Sequence, residues 1–260
     1  MKTIILSGGL GYRLKEETEF KPKPMVNVGD KPILWHIMKL YAHYGFNDFI
    51  IALGYKSDYI KQYFINQKHL LHDFTLHTKS GYAKLHKNNN DARKIDDFKV
   101  TFVDTGLETN PGERILRVKD YVPMEDEHFM VTYGDGVADV DIKKLVNFHK
   151  KQNTVGTVTG VHPRSKYGLL TIDKNNKAKK FTEKPVLREW INGGFMVFRR
   201  EAFDYFKEGE FEHEALKRLV KKGELSIYIH EGFWHSMDTY NDVDNLNKLW
   251  KEDPKWKVWD

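Results

Sequence analysis

The chain has 260 residues, of which 40% are hydrophobic and 30% are charged, so it suits one large soluble globular domain. No apolar run approaches the roughly 18 residues of a membrane span, and the N-terminus leads into a strand rather than a signal peptide, so we expect a cytoplasmic protein. The absence of cysteine excludes disulfides and thiolate metal sites. The net charge of +5 fits a lysine-rich surface or the attraction of anionic substrates, and no nucleic-acid-binding module is recognised.

The first predicted strand, residues 3–6, leads into a glycine-rich segment that three cations follow. These residues are Gly8, Gly9, Gly11, Arg13, Lys21 and Lys23. Glycine lets successive backbone N–H groups approach and turn toward one anion. The segment is neither a Walker A loop nor the dinucleotide fingerprint, and the glycines alone would also fit a tight turn. Together with the cations, they predict a site for a di- or triphosphate.

Apolar periodicity predicts strands and helices that alternate along the first half of the chain. Strands are predicted at 3–6, 48–53, 99–104 and 129–133, and helices from Pro32 to 44 with Gly29 or Asp30 as the cap, at 57–66, and from about 114 to 121. This alternation favours a Rossmann-like α/β fold with a mostly parallel central sheet flanked by helices. Residues 67–98 form a basic excursion that would contact another subunit, cover the substrate as a flap, or simply connect two strands.

The second half adds a β-hairpin and a conspicuous aspartate. Asp135 lies between two glycines after the strand 129–133, and ligands bind beyond such strand ends in open α/β sheets. Asp139 and Asp141 are expected to cap a helix at 142–152. Further predicted elements are a strand at 154–161, a hairpin from 167–173 and 178–185, a strand at 190–198, two helical pieces in 201–224 and a helix that ends near Trp250.

Several motifs together resemble one family. The string Gly8-Gly9-Leu10-Gly11-Tyr12-Arg13-Leu14, followed by Lys21-Pro22-Lys23-Pro24, is similar to the signature of sugar-nucleotide pyrophosphorylases. These nucleotidyltransferases join a nucleoside triphosphate to a sugar 1-phosphate. Segments 16–26 and 31–39 resemble the branch that transfers CMP from CTP to glucose 1-phosphate. Later matches follow in the family's order at 103–106, 133–136, 183–185, 191–195 and 233–239.

The resemblance implies a role for each matching residue. It places the nucleotide at Leu6, Gly8, Gly9, Gly11, Tyr12, Arg13, Lys23, Arg114 and Asp135, with Arg13, Lys23 and Arg114 acting in catalysis. It places the sugar phosphate at Tyr133, Gly168, Glu183, Lys184, Asn192 and Gly193, and Mg²⁺ at Asp135 and Asp238. It also implies a homo-oligomer that makes CDP-glucose and pyrophosphate, for nucleotide-sugar and O-antigen biosynthesis.

Five positions depart from the family's pattern, namely Tyr12, Glu113, Tyr167, His235 and Ser236. Tyr12 replaces a small threonine and would narrow the pocket beside the phosphates, and Glu113 replaces a glycine and would add negative charge nearby. A cytidylyltransferase for another phosphorylated acceptor is therefore one alternative, and use of UTP or dTTP is another. A non-catalytic nucleotide-sensing relative is a third. A glycosyltransferase is a fourth, because residues 139–141 have the letters of its Asp-x-Asp metal motif.

We predict a single nucleotidyltransferase domain over residues 1–260, in which 240–260 form a C-terminal helix and tail. Trp256 and Trp259 are large apolar side chains in a short segment. They predict that the tail docks on the core or on a neighbouring subunit.

Overall fold

The computed structural model describes residues 1–86 and 95–259, with the backbone alone at residues 13, 15 and 16. Within these residues, a mixed eight-stranded sheet forms the centre of the fold. The strands are β1 (Thr3–Ser7), β2 (Asn27–Val28), β3 (Lys31–Pro32), β4 (Asp48–Leu53), β5 (Phe74–His77), β6 (Tyr82–Leu85), β7 (Lys99–Asp104), β8 (His128–Tyr133), β9 (Gly136–Ala138), β10 (Gly156–Val161), β11 (Leu169–Ile172), β12 (Ala178–Thr182), β13 (Ile191–Asn192), β14 (Met196–Arg199), β15 (Leu225–Ile229) and β16 (Trp234–Ser236). The helices are α1 (Lys15–Thr18), α2 (Ile33–His43), α3 (Ser57–Leu71), α4 (Pro111–Arg117), α5 (Ile142–Gln152), α6 (Glu212–Lys222) and α7 (Tyr240–Glu252). Short 3₁₀ helices occur at Tyr12–Leu14, Lys23–Met25, Lys119–Tyr121 and Arg200–Tyr205.

The strand order of the central sheet is β13-β10-β14-β8-β1-β4-β7, with β15 also beside β10. β1 pairs in parallel with β4 on one side and β8 on the other, and β4 pairs in parallel with β7. The chain therefore runs outward from β1 to β7 and returns to the opposite side of β1 at β8. This reversal makes the carboxyl ends of β1 and β8 a topological switch point, where ligands bind in open α/β sheets. The predicted Rossmann-like α/β fold is confirmed.

Helices bury apolar side chains on both faces of the sheet. One core cluster contains the buried face of α2, including Leu34 and Ile37, and the other contains residues of α4 and α6. The C-terminal tail belongs to the first cluster, because the rings of Trp256 and Trp259 lie beside His36. Trp256 is only 1% exposed. The tail therefore packs on its own core, which was one of the two predicted alternatives.

Three features of the first half differ from the prediction. Pro32 is the N-cap of α2 in place of Gly29 or Asp30, because those two residues form the tight turn between β2 and β3. α3 continues to Leu71, so the excursion begins later than residue 67 and contains the β5–β6 hairpin. Residues 87–94 of that excursion lie outside the described residues. No helix in the described ranges is long and apolar enough to cross a membrane.

Two features of the second half also differ. The predicted strand at 190–198 is divided into β13 and β14, because Gly194 and Phe195 adopt positive φ angles of 79° and 46°. Both strands still pair with β10. Asp141 caps α5 as expected, but Asp139 instead lies 2.9 Å from the Nε2 atom of His230. The predicted hairpin is confirmed as β11 and β12.

Candidate active site

Lys23, Asp135 and Asp238 meet beyond the carboxyl ends of β1 and β8. The Nζ atom of Lys23 lies 2.6 Å from Asp135 Oδ2 and 2.9 Å from Asp238 Oδ1. Burial opposes the charged ammonium, but the two carboxylates raise the pKa of Lys23 above its usual value, so it stays protonated. The fold thus brings together three residues that were predicted from motifs far apart in the chain.

Backbone contacts fix the two carboxylates of this cluster. The strand after Asp135, β9, pairs antiparallel with β16, and the Met237 N–H donates to the Asp135 carbonyl at 2.8 Å. The Asp238 N–H donates to Asp242 Oδ2 at 3.0 Å, where α7 begins. Lys23 is held in a 3₁₀ helix between two prolines, whose rings restrict the local backbone. The cluster is therefore placed by ordered secondary structure.

A cavity of about 230 Å³ opens beside the cluster. It is lined by Thr132, Tyr133, Asp135, Gly136, Gly193, Phe195, Trp234, Ser236 and Asp238. Trp234 Nε1 donates to the Gly193 carbonyl at 2.8 Å and joins β16 to the turn before β14. Leu6, a predicted nucleotide residue, is the register partner of Tyr133 in the adjoining strand. The cavity therefore connects the carboxylates with Tyr133 and Gly193, two of the predicted sugar-binding residues.

A chain of hydrogen bonds runs from the cavity into α6. The Tyr133 hydroxyl donates to Glu212 Oε1 at 2.9 Å, and Asn192 Nδ2 donates to the Tyr133 oxygen at 3.2 Å. Burial, followed by the charge of Glu212, raises the pKa of Tyr133, so the phenol stays protonated. Glu212 was not predicted as a site residue. In the sequence it belongs to one of the two predicted helical pieces of 201–224, and no local pattern marked it as a site residue.

The glycine-rich segment lies against a buried arginine. Arg114 is 3% exposed; it donates to the Gly8 carbonyl at 3.1 Å, to Thr105 Oγ1 at 2.6 Å and to three further backbone carbonyls. A Cβ atom at Gly8 would lie 2.2 Å from this guanidinium, so a larger residue would require Arg114 to shift. Gly9 has no atom within 4 Å of an added Cβ, and Gly11 has a φ of +67°. The glycine-rich segment therefore packs against Arg114 at Gly8, and the space beside Gly9 is not filled by other residues that the structure describes.

The protein itself supplies the acceptors for Arg114 in this structure. Burial, followed by the nearby charge of Arg117, lowers the pKa of Arg114, although a guanidinium remains charged in proteins. Its hydrogen bonds connect the Gly8 carbonyl to the segment that follows β7. Contact between Arg114 and a nucleotide phosphate therefore stays a prediction, and the side chain of Arg13 lies outside what the structure describes.

Two departures from the family's pattern do not have the expected effect. Tyr12 is 76% exposed, so its ring stands in solvent and the expected narrowing of the pocket is not seen. Glu113 accepts hydrogen bonds from Arg117 Nε at 2.9 Å and from the Gly209 N–H at 3.0 Å. The Gly209 N–H, helped by Arg117, lowers the pKa of Glu113. The added negative charge is therefore paired locally.

In a third departure from the family's pattern, the hydroxyl of Ser236 lies beside Asp238, a predicted metal ligand. Ser236 Oγ donates to Asp238 Oδ2 at 3.1 Å, which a proline at this position cannot do. His235 Nδ1 lies 2.8 Å from the Ser236 carbonyl. Ser236 therefore holds one oxygen of Asp238, while the other oxygen lies beside Lys23.

The hairpin residues predicted to bind the sugar phosphate do not line the cavity. Glu183 and Lys184 are exposed, and neither has a hydrogen bond or an ion pair within the described ranges. Lys184 has a positive φ of 43°. Gly168 lies close to the ring of Phe181, and Tyr167 is exposed. Their contact with a sugar phosphate stays a prediction.

The carboxylates of the cluster fit a divalent cation. Asp135 Oδ2 and Asp238 Oδ1 converge on one point, because both lie within 2.9 Å of Lys23 Nζ. Mg²⁺ prefers such hard oxygen ligands and is usually held by one or two carboxylates together with waters and substrate phosphates. Within the described residues there is no group of three or more side chains suited to a metal. The residues present therefore suit a metal shared with phosphates.

Comparisons with known proteins give consistent results. The family model described as nucleotidyl transferase matches residues 2–257. Over 264 residues the chain is 44% identical to the glucose-1-phosphate cytidylyltransferases of Salmonella typhimurium and Salmonella typhi, with 100% of each chain covered. Among solved structures, HddC from Yersinia pseudotuberculosis is similar with a TM-score of 0.66 at 25% identity, over 96% of this chain and 99% of that one.

Proposed function

Because the chain belongs to the nucleotidyl transferase family, we propose that it transfers CMP from CTP to α-D-glucose 1-phosphate, which yields CDP-glucose and pyrophosphate. The observation that carries this proposal is the cluster of Lys23, Asp135 and Asp238 at the topological switch point, beside a cavity. The full-length identity of 44% to two enzymes named for this reaction supports the choice of nucleotide and acceptor.

The chemistry requires positioning and charge more than proton transfer. A phosphate oxygen of glucose 1-phosphate would form a bond to the α-phosphorus of CTP, and the bond from that phosphorus to the oxygen of the leaving pyrophosphate would break. The attacking phosphate is already an anion at neutral pH, so no general base is needed. The main obstacle is the repulsion between the two anions, which aligned cations reduce.

The chain offers residues for each part of this task. The open backbone at Gly9 would receive the triphosphate, together with Gly8, Gly11 and the cations at 13 and 23. Arg114 would hold that loop in place and contribute positive charge from behind it. When bound by Asp135 and Asp238, Mg²⁺ would neutralise phosphate charge, and Lys23 would then turn its ammonium toward the triphosphate.

The acceptor would occupy the opposite side of the site. Tyr133 and Gly193 line the cavity there, and Asn192 donates to the Tyr133 hydroxyl. Lys184 is a cation without an ion-pair partner in the described part of the chain, so its charge is available to an incoming sugar phosphate. Glu183 and Gly168 would accompany it on the hairpin.

The remaining expectations extend this proposal. We infer a single nucleotidyltransferase domain in a homo-oligomer that acts in the cytoplasm and supplies nucleotide sugar, for example to O-antigen synthesis. The tryptophan-rich tail gives no support for the oligomer, because Trp256 and Trp259 are buried against the same chain. The inference of a homo-oligomer therefore rests on the family resemblance.

The test is pyrophosphate release with Mg²⁺ from each pairing of CTP, UTP or dTTP with a panel of phosphorylated acceptors. We expect release with CTP and glucose 1-phosphate. Release only with another acceptor would retain the chemistry and reject glucose 1-phosphate. No release with any pair, from protein that still binds CTP, would favour a nucleotide-sensing protein and reject the transfer reaction.

A further inference from the structure

The hydrogen bonds around Tyr133 have a fixed direction. Asn192 Oδ1 accepts from the Gly194 N–H at 3.0 Å, so its amide Nδ2 is the group beside Tyr133. This Nδ2 donates to the phenolic oxygen at 3.2 Å. A carboxylate only accepts hydrogen bonds, so the phenolic proton points to Glu212 Oε1, 2.9 Å away. The sequence of donors is therefore Asn192 to Tyr133 to Glu212.

This direction decides what Tyr133 can offer to a ligand. A phenol has one proton and two lone pairs. Glu212 accepts the phenolic proton and Asn192 donates to one lone pair, so one lone pair of the Tyr133 oxygen remains without a partner among these residues. The Tyr133 side chain lines the cavity. Tyr133 is thus prepared to accept a hydrogen bond from a ligand hydroxyl.

Glu212 is held in place by contacts between α4 and α6. A Cβ atom at Gly112 would lie 2.7 Å from the Glu210 carbonyl and 2.8 Å from the Glu212 nitrogen, so glycine permits this approach. Glu113, which differs from the family's glycine, accepts from the Gly209 N–H at 3.0 Å. Its own N–H donates to the Glu210 carbonyl at 3.2 Å. The start of α6 is therefore fastened to α4 just before Glu212.

The second carboxylate oxygen of Glu212 is a further indication that this residue has a role other than stabilising the fold. Oε2 is buried and has no hydrogen-bond partner within the described residues. A buried polar atom without a partner is costly, and such atoms occur at functional positions. A neutral or apolar side chain at this position would avoid that cost. The charge is nevertheless present, next to the tyrosine of the cavity.

We propose that Glu212 is a positioning residue that orients the Tyr133 hydroxyl to accept a hydrogen bond from a hydroxyl of the acceptor sugar. The proposal rests on the proposed function and deepens it, because it makes Tyr133 select acceptors with a hydroxyl donor at one ring position. Glu212 acts only through Tyr133 and does not contact the nucleotide. Its removal therefore weakens acceptor binding and leaves CTP binding intact.

The experiment measures kcat and the KM of each substrate for wild type, Glu212→Ala, Tyr133→Phe and the double variant. We expect Glu212→Ala and Tyr133→Phe each to raise the KM for glucose 1-phosphate about tenfold, as for loss of one hydrogen bond, without changing the KM for CTP. We expect the double variant to resemble Tyr133→Phe alone, since residues that act as a unit are not additive. Additive losses, or an unchanged acceptor KM in Glu212→Ala, would overturn the proposal.

Two comparisons exclude a merely structural effect. Glu214→Ala alters the same turn of α6 at a residue paired with Lys217, 2.8 Å away, and we expect it to keep the wild-type KM. An equal loss in this control would count against Glu212. Monodeoxy analogues of glucose 1-phosphate add a second comparison: we expect one of them to bind wild type and Tyr133→Phe equally. A Tyr133→Phe defect that persists with every analogue would overturn the hydroxyl contact.

Failure of the proposed function is recognised separately. If wild type releases no pyrophosphate with glucose 1-phosphate, that function fails, and calorimetric binding of glucose 1-phosphate then tests Glu212 without turnover. Weaker binding by Glu212→Ala than by Glu214→Ala would still support the inference. Equal binding by the two variants would reject it, and absence of binding by wild type would reject both proposals. Circular dichroism and thermal unfolding of every variant establish that each is folded.

Discussion

Replacement of Lys23 by methionine tests the centre of the candidate site. Methionine keeps most of the length of the side chain but removes the ammonium that lies 2.6 Å from Asp135 and 2.9 Å from Asp238. Two effects are expected, one on turnover and one on stability. They have different causes and can be measured separately.

The structure indicates the size of both effects. Loss of one preorganised electrostatic group lowers kcat by about 10²–10³, which corresponds to roughly 2.7–4 kcal/mol. The side chains of Lys23, Asp135 and Asp238 are 12%, 30% and 18% exposed, so the ion pairs are neither fully buried nor at the surface. Without metal, removal of the ammonium from beside the two carboxylates should lower the free energy of unfolding by roughly 1–3 kcal/mol, between the surface and buried limits.

Mg²⁺ should distinguish this cluster from an ordinary ion pair. In wild type, Lys23 occupies the point on which both carboxylates converge, so a metal must displace its ammonium. In Lys23→Met that competition is absent, and saturating Mg²⁺ should raise Tm by several degrees more than in wild type, as expected for binding to the folded state. Pyrophosphate release and thermal unfolding with and without Mg²⁺ measure the two quantities.

Lys2→Met is the matched control, because Lys2 forms a comparably buried ion pair with Asp48, at 2.8 Å, near the amino end of β1. We expect it to lose stability without losing turnover and without gaining a larger response to Mg²⁺. Near-normal turnover in Lys23→Met would remove this lysine from the mechanism. A response to Mg²⁺ equal to that of wild type would reject the assignment of the metal to the carboxylates.

Three further predictions concern the metal, the nucleotide loop and pH. Asp238→Asn should raise the Mg²⁺ concentration for half-maximal turnover at least tenfold, measured by metal titration, because a charged hard ligand is lost. Gly8→Ala should weaken CTP binding severely in calorimetry, because its Cβ would lie 2.2 Å from the guanidinium of Arg114. Burial lowers the pKa of His36 to about 4, so its stability contribution is complete above the unfolded value of about 6.5 and is lost as pH falls toward 4. In denaturant unfolding, the stability lost between neutral pH and pH 4 should therefore be about 3 kcal/mol smaller in His36→Gln than in wild type.

Each of these predictions has a result that contradicts it. An unchanged metal titration in Asp238→Asn would exclude that carboxylate as a ligand. Normal CTP affinity in Gly8→Ala would mean that the loop tolerates a shift of Arg114. If His36→Gln shows the same acid loss as wild type, the loss arises elsewhere, for example at His149, whose pKa burial also lowers to about 4.

The sequence was sufficient for those parts of the site that depend on local patterns at strand ends. Asp135 directly follows a predicted strand, and the parallel topology brings the end of that strand beside the end of β1. Lys23, which lies well beyond β1, was predicted from the Lys-Pro-Lys-Pro string that resembles the family's signature. The match of Asp238 to a family motif supplied the third member, which now lies 2.9 Å from Lys23. The fold class followed from the alternation of strand and helix patterns, which is strong in the first half of the chain.

Other features depended on contacts that no local pattern contains. The pairing of Tyr133 with Glu212 joins residues 79 positions apart. Buried Arg114 is satisfied by carbonyl groups at the ends of two separate strands, whereas an arginine at a helix start is usually exposed. The break between β13 and β14 arises because Phe195 adopts a positive φ, which propensity does not favour for an aromatic residue.

The position of α7 links the C-terminal tail to the charge cluster. The side chain of Asp242 accepts from the backbone N–H groups of Asp238 and Thr239, so the cap of α7 also fixes the backbone of Asp238. α7 is in turn fixed by the docking of Trp250 and Trp256 around His36. Lys23 thus lies 2.9 Å from a carboxylate whose backbone depends on the docking of residues near 256. Loosening of the tail would therefore disturb the charge cluster without altering any residue of the cluster itself.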